Sequence, residues 1–449
     1  MPYGPHAEAD RAAMRQAVGI TSVDQLFSDI PMSVRAQGLD LPGPLPELEL
    51  AARLRDLASR NRTDPASFLG AGAYRHYVPA AVDQMLLRGE FYTAYTPYQP
   101  EISQGTLQTI YEYQSMLAAL TGMDVISASH YDGATAVAEA ALMAIRATGR
   151  DRVLLARSLH PHYAATARTY LDEERFSIDE IPSLPDGTID LAALERLLLE
   201  PDRPVAGVMV AHPNVFGCLE PMAEVAALAH AAGALFVAVV EPVSLAVLAP
   251  PAAYGADIAA GEGQPLGIPL GFGGPYLGIL GAREPLIRQI PGRLVGRTTD
   301  LDGRTAYVMT LRAREQDIRR ERAASNICTN QALCALAATV YLATIGPRGL
   351  RDVAALGAAR ANELESALAT AGAPRVHGAP YLNEFAVRVP DAPEVHRRLL
   401  ERGILAGLPL ASFYPDDPLL AEALLVCATE VTTSAEIERF AAALREVTR

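Results

Sequence analysis

Between residues 92 and 105 the chain reads YTAYTPYQPEISQG. Tyr92, Tyr95 and Tyr98 are followed there by Gln99, Glu101, Ser103 and Gln104, while Pro97, Pro100 and Gly105 argue against a regular helix or central strand. Hydroxyl, amide and carboxylate groups on a proline-stiffened loop suit a binding site or a subunit interface better than plain packing. Tyr95 and Tyr98 are the first candidates for orienting a substrate, followed by Glu101 and Gln104, because a buried carboxylate beside a cation tunes it.

Three further stretches have the residue types for chemistry. GADIAAGEGQPLGIPLGFGGPYLG (255–278) looks like a strand end, a glycine-rich loop and another strand, yet its loop has no cation, nucleophile or histidine. SHYDGATAVAEA (129–140) sets Gly133 and Thr135 between a strand and a helix start, where backbone amides bind phosphate. The alternative, that Asp132 caps the helix, is favoured by the carboxylate at the turn. REQDIRRERAASNICTNQ (314–331) places Arg319, Arg320 and Arg322 before a polar helix start, either as a solvated charged segment or as a clamp on an anion.

Other chemistries are set aside. Neither GAGAYR nor GFGGPYLG is a GxGxxG entering a helix, and His160-Pro161-His162 reads as a surface turn rather than a metal site. Cys218, Cys328, Cys334 and Cys427 form no CxxC pair, so a metal set and a disulfide framework are not expected and the four read as reduced core residues. All 38 basic residues are arginine, and arginine cannot serve as an amine nucleophile.

The elements that must position these residues follow an α/β pattern. DVISAS (124–129), DRVLLAR, PVAGVMVAHP and GALFVAVV are short apolar runs of the kind that form strands buried on both faces. Helical stretches separate them, one starting after Asp132 and ending at Gly149, which gives a three-layer domain with a mostly parallel sheet. NQALCALAATVYLATIG forms a helix closed by Gly346 and Pro347, and a smaller α+β unit follows, with a last helix opened by Ser434. From Pro46 a helix with Leu48, Leu50, Leu54 and Leu57 near one face precedes the large domain. The expected layout is a helical arm (1–60), a large α/β domain (61–330) and a small C-terminal domain (331–449).

With 449 residues, half of them hydrophobic, the chain has material for a large core. A net charge of −14 argues against nucleic acid as a partner. The start, MPYGPHAEADRAAMRQ, predicts no secretory signal, and the apolar stretch from Gly233 to Ala253 is interrupted by Glu241, Pro242, Pro250 and Pro251, so no membrane is expected and the location reads as cytoplasmic.

FLGAGAYRHYVPAAVDQMLLRGEFYTAYTPYQPEISQGTLQTIYEYQSMLAALTGMDV, GEGQPLGIPLGFGGPYLG and REQDIRRERAASNICTNQALCALAATVYL together resemble the P-protein of the glycine cleavage system, the decarboxylating glycine dehydrogenase. The similarity runs over nearly the whole chain. It implies the type I fold of pyridoxal-phosphate enzymes, whose active sites lie at a dimer interface. In that family some enzymes are divided between two related subunits, and this chain resembles the first, cofactor-free one. The resemblance implies pyridoxal phosphate carried by a lysine-bearing second subunit, in a heterodimer or a heterotetramer of two such pairs. It also implies glycine as substrate and the lipoyl H-protein as acceptor of the aminomethyl group. On this resemblance Gln264-Pro265 stand where the partner has its Schiff-base lysine, and Val240-Glu241 where an aspartate pairs with the pyridine nitrogen. Tyr95, Tyr98, Glu101 and Gln104 then become candidates for reaching the partner's site. A scaffold that stabilises the partner or docks H-protein is the competing reading, and an independent aminotransferase or desulfurase is opposed by the missing lysine.

Overall fold

The apolar runs assemble into one seven-stranded sheet in the order Val125–Ile126, Gly278–Ala282, Ile258–Glu262, Leu235–Val240, Val205–His212, Arg152–Ala156, Ser177–Ile181. Only Gly278–Ala282 runs against its neighbours; the other pairings are parallel. The computed structural model describes residues 4–448 except 37, 172–174 and 272.

Side chains along a strand alternate between faces, and both faces here are covered. Phe236, Ala238 and Val240 join one apolar cluster, while Val237 and Val239 join the other. The helix Met222–Ala231 supplies Met222, Val225, Ala226 and Ala229 to the first cluster. The helix Gly133–Thr148 supplies Ala136, Val137, Ala140 and Met143 to the second. The result is the expected three-layer α/β domain.

DVISAS yields only the two-residue strand Val125–Ile126, because the Ala128 N–H leaves the ladder for the Arg293 carbonyl and pairing with Gly278 returns only at His130. The expected helix stop at Gly346 is instead a kink. Gly346 adopts φ 62° and ψ −178°, and the helix resumes at once through Pro347 within Ala332–Thr370. Before the kink Ala335, Ala338 and Tyr341 enter the large core; after it Ala361, Leu364 and Leu368 enter a second core. Length and composition would let this helix cross a bilayer, but it is a broken helix that serves two cores.

That second core belongs to the small α+β part, where Glu384–Arg388 and Leu408–Pro409 flank Ala423–Cys427, all antiparallel. Helices Ala392–Glu401 and Ser434–Val447 pack there through Val395, Leu399, Phe440 and Leu444. The last helix is capped by Thr433, whose hydroxyl accepts the Glu436 N–H, and not by Ser434.

By internal contacts the chain divides into residues 1–63 and 64–449. The first unit contains the helices Glu8–Val18 and Glu47–Ser59, neither with a buried residue. Leu48, Leu50, Leu54 and Leu57 are all exposed. Cys218 and Cys427 are buried as free thiols, but Cys328 is exposed, which corrects the expectation that all four lie in the core.

Candidate functional site

Ligand crevices in open α/β sheets form beyond the carboxyl ends of the parallel strands. Here that end carries Glu262, Glu241 and the residues after His212, closed over by Glu384 of the small sheet. The cavity between them has a volume of about 50 Å³ and is lined also by Tyr74, His160, Tyr163 and Asn214.

Glu262 explains the glycine-rich loop. Its Oε2 accepts the Gly133 N–H at 2.8 Å, and its Oε1 accepts the N–H groups of Gln264 and Leu277, each at 2.9 Å. Three backbone donors thus converge on one buried carboxylate at the N-terminus of the Gly133–Thr148 helix. Asp132 takes the Thr135 N–H, two residues further on, at 2.8 Å. The helix start therefore supports the capping reading of Asp132, and the amides of Gly133 and Thr135 are met by the chain's own carboxylates. The approach requires glycine at 133: a Cβ there would lie 2.5 Å from the Tyr163 hydroxyl and 2.9 Å from the Glu262 Cβ. Burial pushes the Glu262 carboxyl up to about 7, against the opposing pull of the three N–H donors.

Gln264 is equally committed. Its Oε1 accepts the Tyr74 N–H at 2.8 Å, and its Nε2 donates to the carbonyls of Tyr74 and Ile268 at 2.9 and 2.7 Å. Glu241 caps the turn after its strand by accepting from the Val243 and Ser244 N–H groups. Burial raises its carboxyl. His160 corrects the surface-turn expectation. It caps the helix Pro161–Tyr170, with Nδ1 accepting the His162 N–H and Nε2 lying 2.9 Å from the Ala71 carbonyl. Those partners assign the neutral ring with its proton on Nε2, in keeping with a pKa lowered to about 4 by burial and by His162.

The tyrosine loop lies elsewhere, between the short helix Gly89–Tyr92 and the helix Gln104–Thr121. Tyr95 is 77% exposed and lines a cleft of about 220 Å³ with Phe91, Thr96, Thr106, Asn330 and Gln331. Tyr98 accepts a hydrogen bond from Arg293 Nη2 at 3.1 Å, and the guanidiniums of Arg293 and Arg312 stand 5.4 and 5.1 Å from its ring centre. Glu101 is exposed, not buried as expected of a carboxylate that tunes a cation. Gln104 pins the hairpin Leu294–Thr299/Thr305–Thr310, since its amide both accepts from the Tyr307 N–H and donates to the Tyr307 carbonyl, each at 2.9 Å. Arg319, Arg320 and Arg322 are exposed. Arg319 donates to the Ala313 carbonyl and Arg322 pairs loosely with Glu321, so a solvated segment describes them. The arginines that do meet the loop, Arg293 and Arg312, carry no local sequence signal.

The pattern of the family described as glycine cleavage system P-protein matches residues 1–444. The chain belongs to that family. It is 52% identical to a probable glycine dehydrogenase (decarboxylating) subunit 1 of Moorella thermoacetica, with the whole of both chains covered. A counterpart of the same description from Carboxydothermus hydrogenoformans is 49% identical over 98% of each chain. The crystal structure of an inhibitor-bound glycine decarboxylase (P-protein) of the glycine cleavage system superposes with a TM-score of 0.92, at 44% identity and full coverage of both chains. A sphingosine-1-phosphate lyase of Burkholderia pseudomallei (TM-score 0.65, 16% identity) and a NifS-like protein (0.63, 15%) share the fold alone, the type I fold of pyridoxal-phosphate enzymes.

Pyridoxal phosphate, the cofactor of that fold, does not fit this P-protein chain at the strand ends. No lysine exists to hold its aldehyde. The helix N-terminus that would receive the phosphate already holds Glu262. Glu241, Glu384 and Glu262 line the space itself, so three carboxyl groups stand where an anionic cofactor would have to enter.

Proposed function

We propose that this chain is the half of a two-subunit glycine decarboxylase that anchors no pyridoxal phosphate and acts only when joined to a lysine-bearing relative. In the family reaction glycine loses its carboxyl group as CO2, and the aminomethyl group passes to the lipoyl arm of H-protein. The cofactor supplies the electron sink; this chain supplies surface and orientation. The observation that carries the reading is the absence of lysine from all 449 residues. The self-ligated helix start at Gly133 supports it.

Borohydride reduction of the isolated chain with pyridoxal phosphate tests the first half. No side-chain adduct is expected, and a stoichiometric one away from the N-terminal amine would overturn it. For the second half, exchange of the glycine carboxyl carbon with CO2 should need both subunits; full-rate exchange by the partner alone would exclude an obligate role.

Within the complex, the loop 92–105 is proposed to border the partner's reacting centre. Tyr95 supports this, as a large aromatic residue left exposed at a cleft lined by neutral side chains. Loss of a hydrogen bond made only in the transition state costs roughly 10²–10³ in rate. Tyr95→Phe and Tyr98→Phe are therefore expected to lower turnover in complexes of normal size and cofactor content. Wild-type turnover in both would leave the chain as a scaffold.

A further inference from the structure

We propose that Arg293 is the positioning residue of the tyrosine loop: its guanidinium ties Thr96 and Tyr98 to Asn330 and thereby sets the cleft that Tyr95 lines. This rests on the reading that the loop borders the partner's reacting centre. The Arg293 side chain is 5% exposed. Its Nη1 donates to Thr96 Oγ1 and to Asn330 Oδ1, both at 3.3 Å, and its Nη2 donates to the Tyr98 hydroxyl at 3.1 Å.

The charge is not satisfied by an ordinary ion pair. Among the described residues the nearest carboxylate oxygen, on Glu315, lies 3.9 Å from Nε, and Nε has no hydrogen-bond partner there. Removing a cation from water is costly, and neutral oxygens at 3.1–3.3 Å return only part of that cost. An apolar side chain would fill the space with less penalty. The guanidinium adds a rigid fork that reaches three groups in fixed directions.

Those groups belong to separate parts of the chain. Thr96 and Tyr98 sit on the tyrosine loop, whereas Asn330 sits just before the helix Ala332–Thr370. The far ends are fixed: Asn330 Nδ2 donates to Ser129 Oγ at 2.9 Å, and the Gln331 N–H donates to the same oxygen at 3.0 Å. The Arg293 carbonyl in turn accepts the Ala128 N–H at 2.8 Å, which locks the arginine backbone to the edge of the main sheet. Thr96, Asn330 and Gln331 all line the cleft beside Tyr95. One side chain therefore transmits the position of the sheet to the loop.

Lysine keeps the charge but offers one ammonium in place of a planar fork, so Arg293→Lys should loosen the joint without removing the cation. In the assembled two-subunit complex, amide hydrogen exchange over residues 93–103 should be at least about 10-fold faster in Arg293→Lys. The kcat for glycine decarboxylation should fall by about 10²-fold, the scale of a small misplacement of a reacting group, with the glycine KM little changed. Thr96→Val, which removes a single arm of the fork, should shift both readouts in the same direction by less and serves if the lysine variant does not assemble. Unchanged exchange in both variants would overturn the positioning role. Faster exchange with unchanged kcat would uphold it and would instead remove the loop from the reaction.

Discussion

At the scale of one residue, Glu384 shows how a buried carboxyl closes the strand ends. Its Oε1 accepts the Ala71 N–H at 2.6 Å and its Oε2 accepts from the Tyr74 hydroxyl at 2.9 Å, so the carboxyl braces the loop that closes the strand ends. Burial pushes it up to about 7, with the two donors pulling the other way and Glu241 adding to the rise. A carboxyl raised in the folded state binds its proton more tightly there than in the unfolded chain. Its stability contribution is therefore complete below about pH 4.5 and is lost as pH rises through about 7. A shift of that size corresponds to about 3 kcal/mol. Glu384→Gln keeps an oxygen for Ala71 and offers an N–H to the tyrosine oxygen, without a charge to bury. Thermal unfolding at a series of pH values should give the variant a higher Tm than wild type at pH 8 and a nearly equal one at pH 5. Equal destabilisation at both would mean that Glu384 is ionised and paired in the folded protein. Glu262 follows the same logic, but its three N–H donors make an amide a poorer replacement.

At the scale of elements, what was legible in the sequence was what is decided locally. Asp132 and Gly149 mark the ends of their helix because a cap and a left-handed glycine act within one turn. The buried strands Val205–His212 and Leu235–Val240 are announced by unbroken apolar runs. Gly346 was visible as a break, but only tertiary packing on two cores makes the chain resume its helix at once. His160 departs from the surface-turn expectation because Pro161, at the first helical position, starts a helix that His160 caps. The tyrosine loop is legible in its composition, yet its anchor is not. Arg293 meets Thr96 across 197 positions of sequence, and Glu262 meets Gly133 across 129. No periodicity or cap encodes such a pairing. The lack of a nucleophile in the glycine loop is legible from its residue types alone. That its carboxylate fills the neighbouring helix start needed the fold.

On the scale of the whole molecule, apolar surface is unevenly distributed. More than half of the exposed large apolar side chains among the described residues lie between Met14 and Leu57, within the unit formed by residues 1–63. A monomer seldom leaves so much apolar surface uncovered, and a unit whose helices bury nothing of their own gains stability only by packing on something else. On the two-subunit reading that covering surface is the lysine-bearing partner. Leu54 and Leu57 are 55% and 46% exposed and belong to none of the apolar clusters, and replacing both by arginine keeps good helix formers with a charge suited to the helix C-terminus. The doubly substituted chain should keep its circular dichroism spectrum, and its helix should be little affected in isolation. Its complex with the partner should weaken by at least about 100-fold, since two charges would have to be desolvated at an apolar contact. Size-exclusion and titration measurements on co-expressed and separately purified subunits give the comparison. The isolated wild-type chain should bind a hydrophobic dye and lose that binding as the partner is added, whereas the substituted chain should bind less dye from the start. An unweakened complex would show that the arm lies outside the interface, and the exposed leucines would then need a different occupant.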